Sequence, residues 1–206
     1  PVSGWLFNWI ANKHADAMDN IPAANILPRE EGDKAEAEML SDIIPVLLEQ
    51  CEFEAVYDDV WTYKLKSGTG VWGVYWDASK LNGLGDVSLK RVDLINLFWE
   101  PGITDIQDSR NVFHVQLVDN EGLLGQYPQL AGKLSSQTID VAKYVYDDTV
   151  DTTEKSVVVD WYYKKAVNGG TPVLHYCKFC NDVVLFATEN DPQYKERGFY
   201  DHGRYP

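Results

Sequence analysis

Gly68-Thr69-Gly70-Val71-Trp72-Gly73-Val74-Tyr75-Trp76-Asp77 is where the chain changes period, and the fold class follows from reading that change. Before it, apolar residues recur every three to four positions. Phe53, Val56, Tyr57, Val60 and Trp61 form one helical stripe between Glu52 and Lys66, which Gly68 and Gly70 close. After it, the β-branched and aromatic run 71–77 reads as a strand. Asn82-Gly83 and Gly85-Asp86 then supply turn chemistry, and Val87-Ser88-Leu89-Lys90-Arg91-Val92 alternates as a second strand. The two strands are expected to form a hairpin with a loop longer than two residues.

Working back toward the N-terminus, Asp33-Lys34-Ala35-Glu36 has the pattern of a capping box. Leu40, Ile43, Ile44, Leu47 and Cys51 follow at helical spacing and predict one buried stripe. Pro45 falls inside that stripe, where its ring and missing N–H predict a kink or a fresh helix start. Residues 5–19 form an earlier helix with Trp5, Leu6, Trp9, Ile10 and Lys13 along one side, ended by Ile21-Pro22.

Working forward, Leu94–Trp99 is apolar and stops at the turn Glu100-Pro101-Gly102. Asn111–Leu117 is a strand, and Asn120–Leu134 a short helix interrupted by Pro128. Residues 135–155 are polar, acidic and weakly patterned, and read as a mobile linker or a partner-dependent segment. An antiparallel meander follows: strands at 156–165, 173–179 and 183–187, with Asn168-Gly169-Gly170 as a turn and irregular structure from Tyr194. Helices first and strands afterwards predict an α+β fold: N-terminal helices, a mixed or antiparallel sheet, and a C-terminal antiparallel meander. The expected divisions are 1–32, an N-terminal helix and connector; 33–134, a helical and β core; 135–155, the linker; and 156–206, a small antiparallel β region.

The 206 residues are 45% apolar and include seven Trp and twelve Tyr, enough to fold around a core. Eighteen basic residues stand against 32 acidic ones, a formal charge of −14. Tight general binding of nucleic acid needs positive charge to replace released counterions, so this balance argues against it, and equally against adhesion to an anionic membrane. It leaves room for a surface past which DNA slides. No window has the apolar length of a spanning helix, the N-terminus lacks a signal pattern, and three cysteines are too few for a disulfide scaffold. A start at Pro1 without Met and an end at Gly203-Arg204-Tyr205-Pro206 read as excision from a longer polypeptide.

Motifs for chemistry are sparse. Gly68–Gly73 follows a helix and enters a strand, the reverse of a phosphate loop, and reads as a turn. His14 and His114 lack triad partners in their local pattern and read as structural. Asp58-Asp59 and Asp147-Asp148 lack the alternating oxygen ligands of a calcium loop and read as solvated surface. His175-Tyr176-Cys177-Lys178-Phe179-Cys180 contains a Cys-x-x-Cys that could give two zinc ligands, with His175, Cys51 or His202 completing the site, or could act as a redox pair. Its strand-like frame favours inert sheet cysteines. Lys64-Leu65-Lys66, Lys90-Arg91 and Lys164-Lys165 are small, separated basic groups. No catalytic, cofactor-binding or metal-binding residue is assigned, and no cofactor is expected. A carboxylate-based hydrolase and a generic protein-interaction module stay open as alternatives.

Several segments, in order, resemble those of tailed-bacteriophage portal proteins. They are Pro28-Arg29-Glu30-Glu31-Gly32-Asp33-Lys34-Ala35-Glu36-Ala37-Glu38, Ser67–Gly70 before Val74–Asp77, and Asn82–Val87. The strongest runs from Arg91-Val92-Asp93 through Asn96-Leu97-Phe98-Trp99-Glu100-Pro101-Gly102-Ile103-Thr104-Asp105-Ile106. Glu189-Asn190-Asp191 and Arg197-Gly198-Phe199-Tyr200-Asp201-His202-Gly203-Arg204-Tyr205-Pro206 follow. The likeness covers most of 22–134 and 156–206; Leu94 stands where the family commonly has proline. The resemblance implies a wing-region piece of a ring subunit, usually dodecameric, at one capsid vertex. It implies other portal subunits, terminase, capsid and head–tail connector proteins as partners. It also implies DNA passing through the channel without sequence recognition, no membrane, no hydrolysis by the portal itself, and residence in the virion and, during assembly, the host cytoplasm.

Overall fold

The computed structural model describes residues 4–134, 154–166, 172–199 and 203–206. It is α+β, with three N-terminal helices followed by antiparallel sheets. The chain divides into two compact units, 1–94 and 95–206. That boundary falls inside the segment 33–134, which the sequence pattern groups together.

The first unit contains α1 (Trp5–Met18), α2 (Lys34–Gln50), α3 (Phe53–Ser67), β1 (Val71–Asp77) and β2 (Asp86–Val92). Helix α3 is its centre and packs against α1, α2 and β2. The predicted α3 stripe turns inward, with Tyr57 and Val60 buried and Phe53, Val56 and Trp61 half-buried. The rings of Phe53, Tyr57 and Trp72 gather there, centroids 5.7–6.2 Å apart. Gly68 ends α3 in the left-handed region at φ 87° and donates its N–H to Lys64 O. A Cβ on Gly70 would lie 2.9 Å from the Val60 carbonyl, so the turn into β1 needs glycine to hug the helix. β1 and β2 pair antiparallel from Val71↔Val92 to Asp77↔Asp86. Asn82 and Gly83 occupy positive φ in the loop, as the hairpin reading requires.

Two local expectations need correction, and a third is narrowed. The capping box sits one turn earlier: Asp33 accepts from the Glu30 N–H at 3.2 Å and makes no side-chain cap on α2. Glu36 therefore has no box to complete. Pro45 starts no new helix, because α2 continues through it. The α2 stripe is also not one buried row. Cys51 is buried and Ile44 and Leu47 are half-buried, but Leu40 and Ile43 are exposed. Periodicity identifies a face that excludes water, without saying what covers it.

The second unit is a five-stranded antiparallel sheet in the order β3 (Leu97–Trp99), β4 (Asn111–Asp119), β5 (Lys155–Ala166), β6 (Pro172–Cys180), β7 (Val183–Ala187). Helix α4 (Asn120–Gln126) and a 3-10 turn at Pro128–Leu130 follow β4, the proline breaking the helix as its ring requires. The C-terminal meander thus gains two strands that local patterning could not assign to it. Of the expected linker 135–155, residues 135–153 lie outside the described residues, as do 168–170 of the expected turn. Glu154 leads directly into β5, which begins at Lys155.

Strand alternation sorts the unit's core onto two faces. On one face, Leu123 and Leu130 cover Val158 and Cys180, while Val112, Leu174 and Tyr205 form a second cluster. On the other lie Val115 and Val157. This second face also carries a ladder of stacked rings, Phe113–Trp161–Tyr163–His175, with centroids 4.3–5.8 Å apart.

Candidate functional site

Between the two clusters of the first sheet face runs a polar row. Cross-strand register places His114 of β4 opposite Asp160 of β5, and Asp160 opposite Lys178 of β6. Asp160 is buried, and its carboxylate is surrounded by donors. Tyr176 OH donates to Oδ1 at 2.5 Å and Gln116 Nε2 to Oδ2 at 2.9 Å. Lys178 Nζ stands 3.6 Å away and His114 Nδ1 3.9 Å away. Gln116 Nε2 also lies 3.2 Å from His114 Nδ1, an arrangement that suits a neutral imidazole accepting at that nitrogen.

Burial, then the neighbouring Asp160 carboxylate, holds the Tyr176 hydroxyl far above its ordinary pKa. Burial pulls His114 below the usual histidine range, opposed by Asp160. These shifts serve packing. The tyrosine stays a donor, the histidine stays neutral, and the row contains a single carboxylate. A carboxylate-based hydrolase needs two acids across a substrate cleft, and this row does not supply them. It closes a buried polar layer whose members satisfy one another.

Burial also lowers the pKa of His175, whose Nδ1 lies 3.0 Å from Thr188 Oγ1. Both histidines therefore bind protons less readily folded than unfolded. Their stabilising contribution is full above the unfolded histidine pKa of about 6.5 and is lost as pH falls through their lowered folded values. Thermal unfolding should show a lower midpoint at pH 5.5 than at pH 7.5. Replacing His114 and His175 by glutamine should flatten that dependence.

The other residues singled out by sequence do not converge. Cys177 and Cys180 are both buried and free, and their odd spacing on a regularly paired strand sends them to opposite faces. Cys180 packs with Leu123, Leu130 and Val158. Burial raises both thiols, opposite to the shift a zinc ligand or redox thiolate needs. Cys51 donates to the Val87 carbonyl in the first unit. Among the described residues no group of three or more His, Cys, Asp or Glu is placed to hold a metal. His202 and Asp147-Asp148 lie outside the described residues.

His14 pairs with Asp58, and Asp59 accepts from Arg91 Nε at 2.7 Å. The adjacent carboxylates are thus engaged separately. Arg91 also contacts Asp93 and the Tyr63 ring, Lys64 lies over Trp61, and Lys165 pairs with Glu189. Lys164 donates to the Gln107 carbonyl. Basic side chains tied to neighbouring groups make a poor phosphate track. No described helix is long and apolar enough to cross a membrane.

The feature local sequence reasoning missed is an apolar surface on the first unit. Trp5 is 72% exposed, Phe7 73% and Trp9 69%, although the pattern suits a packed helix face. On α2, Met39 is 55% exposed and Val46 52%, with Leu40 and Ile43 beside them. Trp76, Leu81 and Leu84 are exposed around the hairpin loop. Two tryptophans and a phenylalanine at about 150–250 Å² each offer on the order of 400 Å² from the start of α1 alone. A count of aromatics against available core positions is the clue the sequence did hold.

Comparison with known proteins gives a family match. No curated protein matches the chain. The family model described as phage P22-like portal protein matches residues 8–198, taking in both units and every helix and strand except the first turn of α1. This chain belongs to the phage P22-like portal protein family.

Proposed function

We propose that the chain is a wing-region part of a portal subunit, within the ring-shaped DNA conduit used in head assembly, genome packaging and genome ejection. The observation that carries the proposal is the family match over 8–198. Its partners are other portal subunits, terminase, capsid and head–tail connector proteins. DNA passes through the assembled channel without sequence recognition, and no membrane is involved. The protein resides in the virion, and in the host cytoplasm while heads assemble.

The physical features support this role. An acidic protein, −14 overall, repels a passing polyanion and so avoids holding it during transport. Exposed apolar surface on the first unit suits a part that meets neighbours. The buried polar row ties β4, β5 and β6 of the second unit together.

Native mass spectrometry of the longer protein containing this chain tests the proposal. A closed oligomer of one defined copy number is expected, and a strictly monomeric protein under head-assembly conditions would overturn it. In titrations at moderate salt, the 206-residue chain should show no sequence-dependent DNA binding. A sub-micromolar preference for one sequence would remove that part of the reading.

A further inference from the structure

We infer that the first turns of α1 from one copy dock on the exposed ridge of α2 in a second copy, making a heterologous contact between subunits. This deepens the portal reading and rests on it, because it names the two surfaces through which copies meet.

Size and shape come first. The ridge Met39, Ile43 and Val46 follows the spacing of one helical face, with Leu40 at its edge, and all four side chains are exposed. The α1 surface has the opposite form: Trp5, Leu6 and Trp9 project from one side of a helix end, while helical spacing turns Phe7 to the other side. Specific interfaces bury about 800 Å² per partner. Trp5 and Trp9 together supply about a third of that, and Leu6 and the row Trp5–Trp9–Lys13 extend the contact along the helix.

Charge then selects the pairing. Glu38, Asp42 and Glu49 form an acidic stripe along one flank of the α2 ridge, by helical spacing. Two α2 ridges packed antiparallel, face to face, would bring these stripes together and repel. The start of α1 has no acidic residue in its first turn, its first charged side chain is Lys13, and its helix end carries partial positive charge. Apolar rings meet apolar ridge, and a positive helix end meets an acidic flank. The two patches differ, so each copy offers one to a neighbour on either side, the head-to-tail arrangement that generates rings or open chains.

Directed cross-linking of the full 206-residue chain tests the contact. One preparation carries Leu6→Cys and another Ile43→Cys. Both sites are exposed, and the native cysteines are buried. Mild oxidation of the mixture should give a covalent heterodimer, with at least tenfold less product from either preparation alone. Val46→Glu should weaken self-association at least tenfold in sedimentation while leaving the thermal midpoint unchanged. If that variant unfolds, the cysteine pair still decides.

Efficient Ile43→Cys homodimers would overturn the proposal in favour of paired α2 ridges. A chain that stays monomeric, or self-associates without the mixed cross-link, would overturn it too, leaving the ridge to a different protein. The same cysteine pair in the longer protein separates the two readings. A closed ring without the cross-link sinks this contact alone. The cross-link in assemblies that never close sinks the portal-ring reading and leaves the contact standing.

Discussion

Tyr205→Ala is expected to destabilise the C-terminal sheet by about 3–5 kcal/mol, the usual cost of emptying a buried aromatic site. Tyr205 lies against Val112 and Leu174, with Leu97, Ile106 and Tyr162 around them. Its hydroxyl donates to the Ser109 carbonyl at 2.9 Å, and burial pushes its pKa up to about 12. Its backbone N–H donates to Gln107 Oε1 at 2.9 Å, while Gln107 Nε2 donates back to its carbonyl at 3.2 Å. Lys164 Nζ sits 4.6 Å from the ring centroid and donates to the Gln107 carbonyl. One residue near the C-terminal end thus ties the turn before β4 to β5 and β6. Tyr205→Phe keeps the ring and should cost only about 1 kcal/mol, one hydrogen bond. Denaturant unfolding of both variants checks the contrast, and equal losses would mean that the cavity is not the main effect.

Asp160→Ala is expected to cost about 3 kcal/mol by a different route. Little volume is lost, but the Tyr176 hydroxyl and the Gln116 amide lose their common acceptor, and each stranded donor costs about 1–3 kcal/mol. Lys178 adds less, because it is partly exposed and keeps access to water. Adding Tyr176→Phe removes one orphaned donor, so the double variant should lose much less than the sum of the single ones. Unfolding free energies around this double-mutant cycle are the check. Strict additivity would mean that the polar row does not act as a unit.

These two residues show where reading the chain locally runs out. The change of period at Gly68–Asp77, the α3 stripe and the Asn82-Gly83 turn are set by neighbours within a few positions, and all appear in the structure. Tyr205 bonds residues 96 and 98 positions away, so no local pattern announces its burial. Asp160 alternates with Val158 and Tyr162 on one strand face, which hints at a buried carboxylate. Its partners become visible only once β4 and β6 are placed beside it. The α2 stripe is the reverse case: its period is legible and predicts burial, but Leu40 and Ile43 of that stripe stay open to solvent, beside Met39 and Val46. Apolar periodicity reports a face that excludes water, without saying what covers it. The resembling segments between Pro28 and Asp191, taken in order, pointed to the family, which composition and charge alone could not select.

Electron microscopy of the longer protein under head-assembly conditions bears most directly on the portal-subunit account. It should reveal copies closed around an axis, with an open channel wide enough to pass a DNA duplex. Single copies, or open filaments with no enclosed channel, would contradict it.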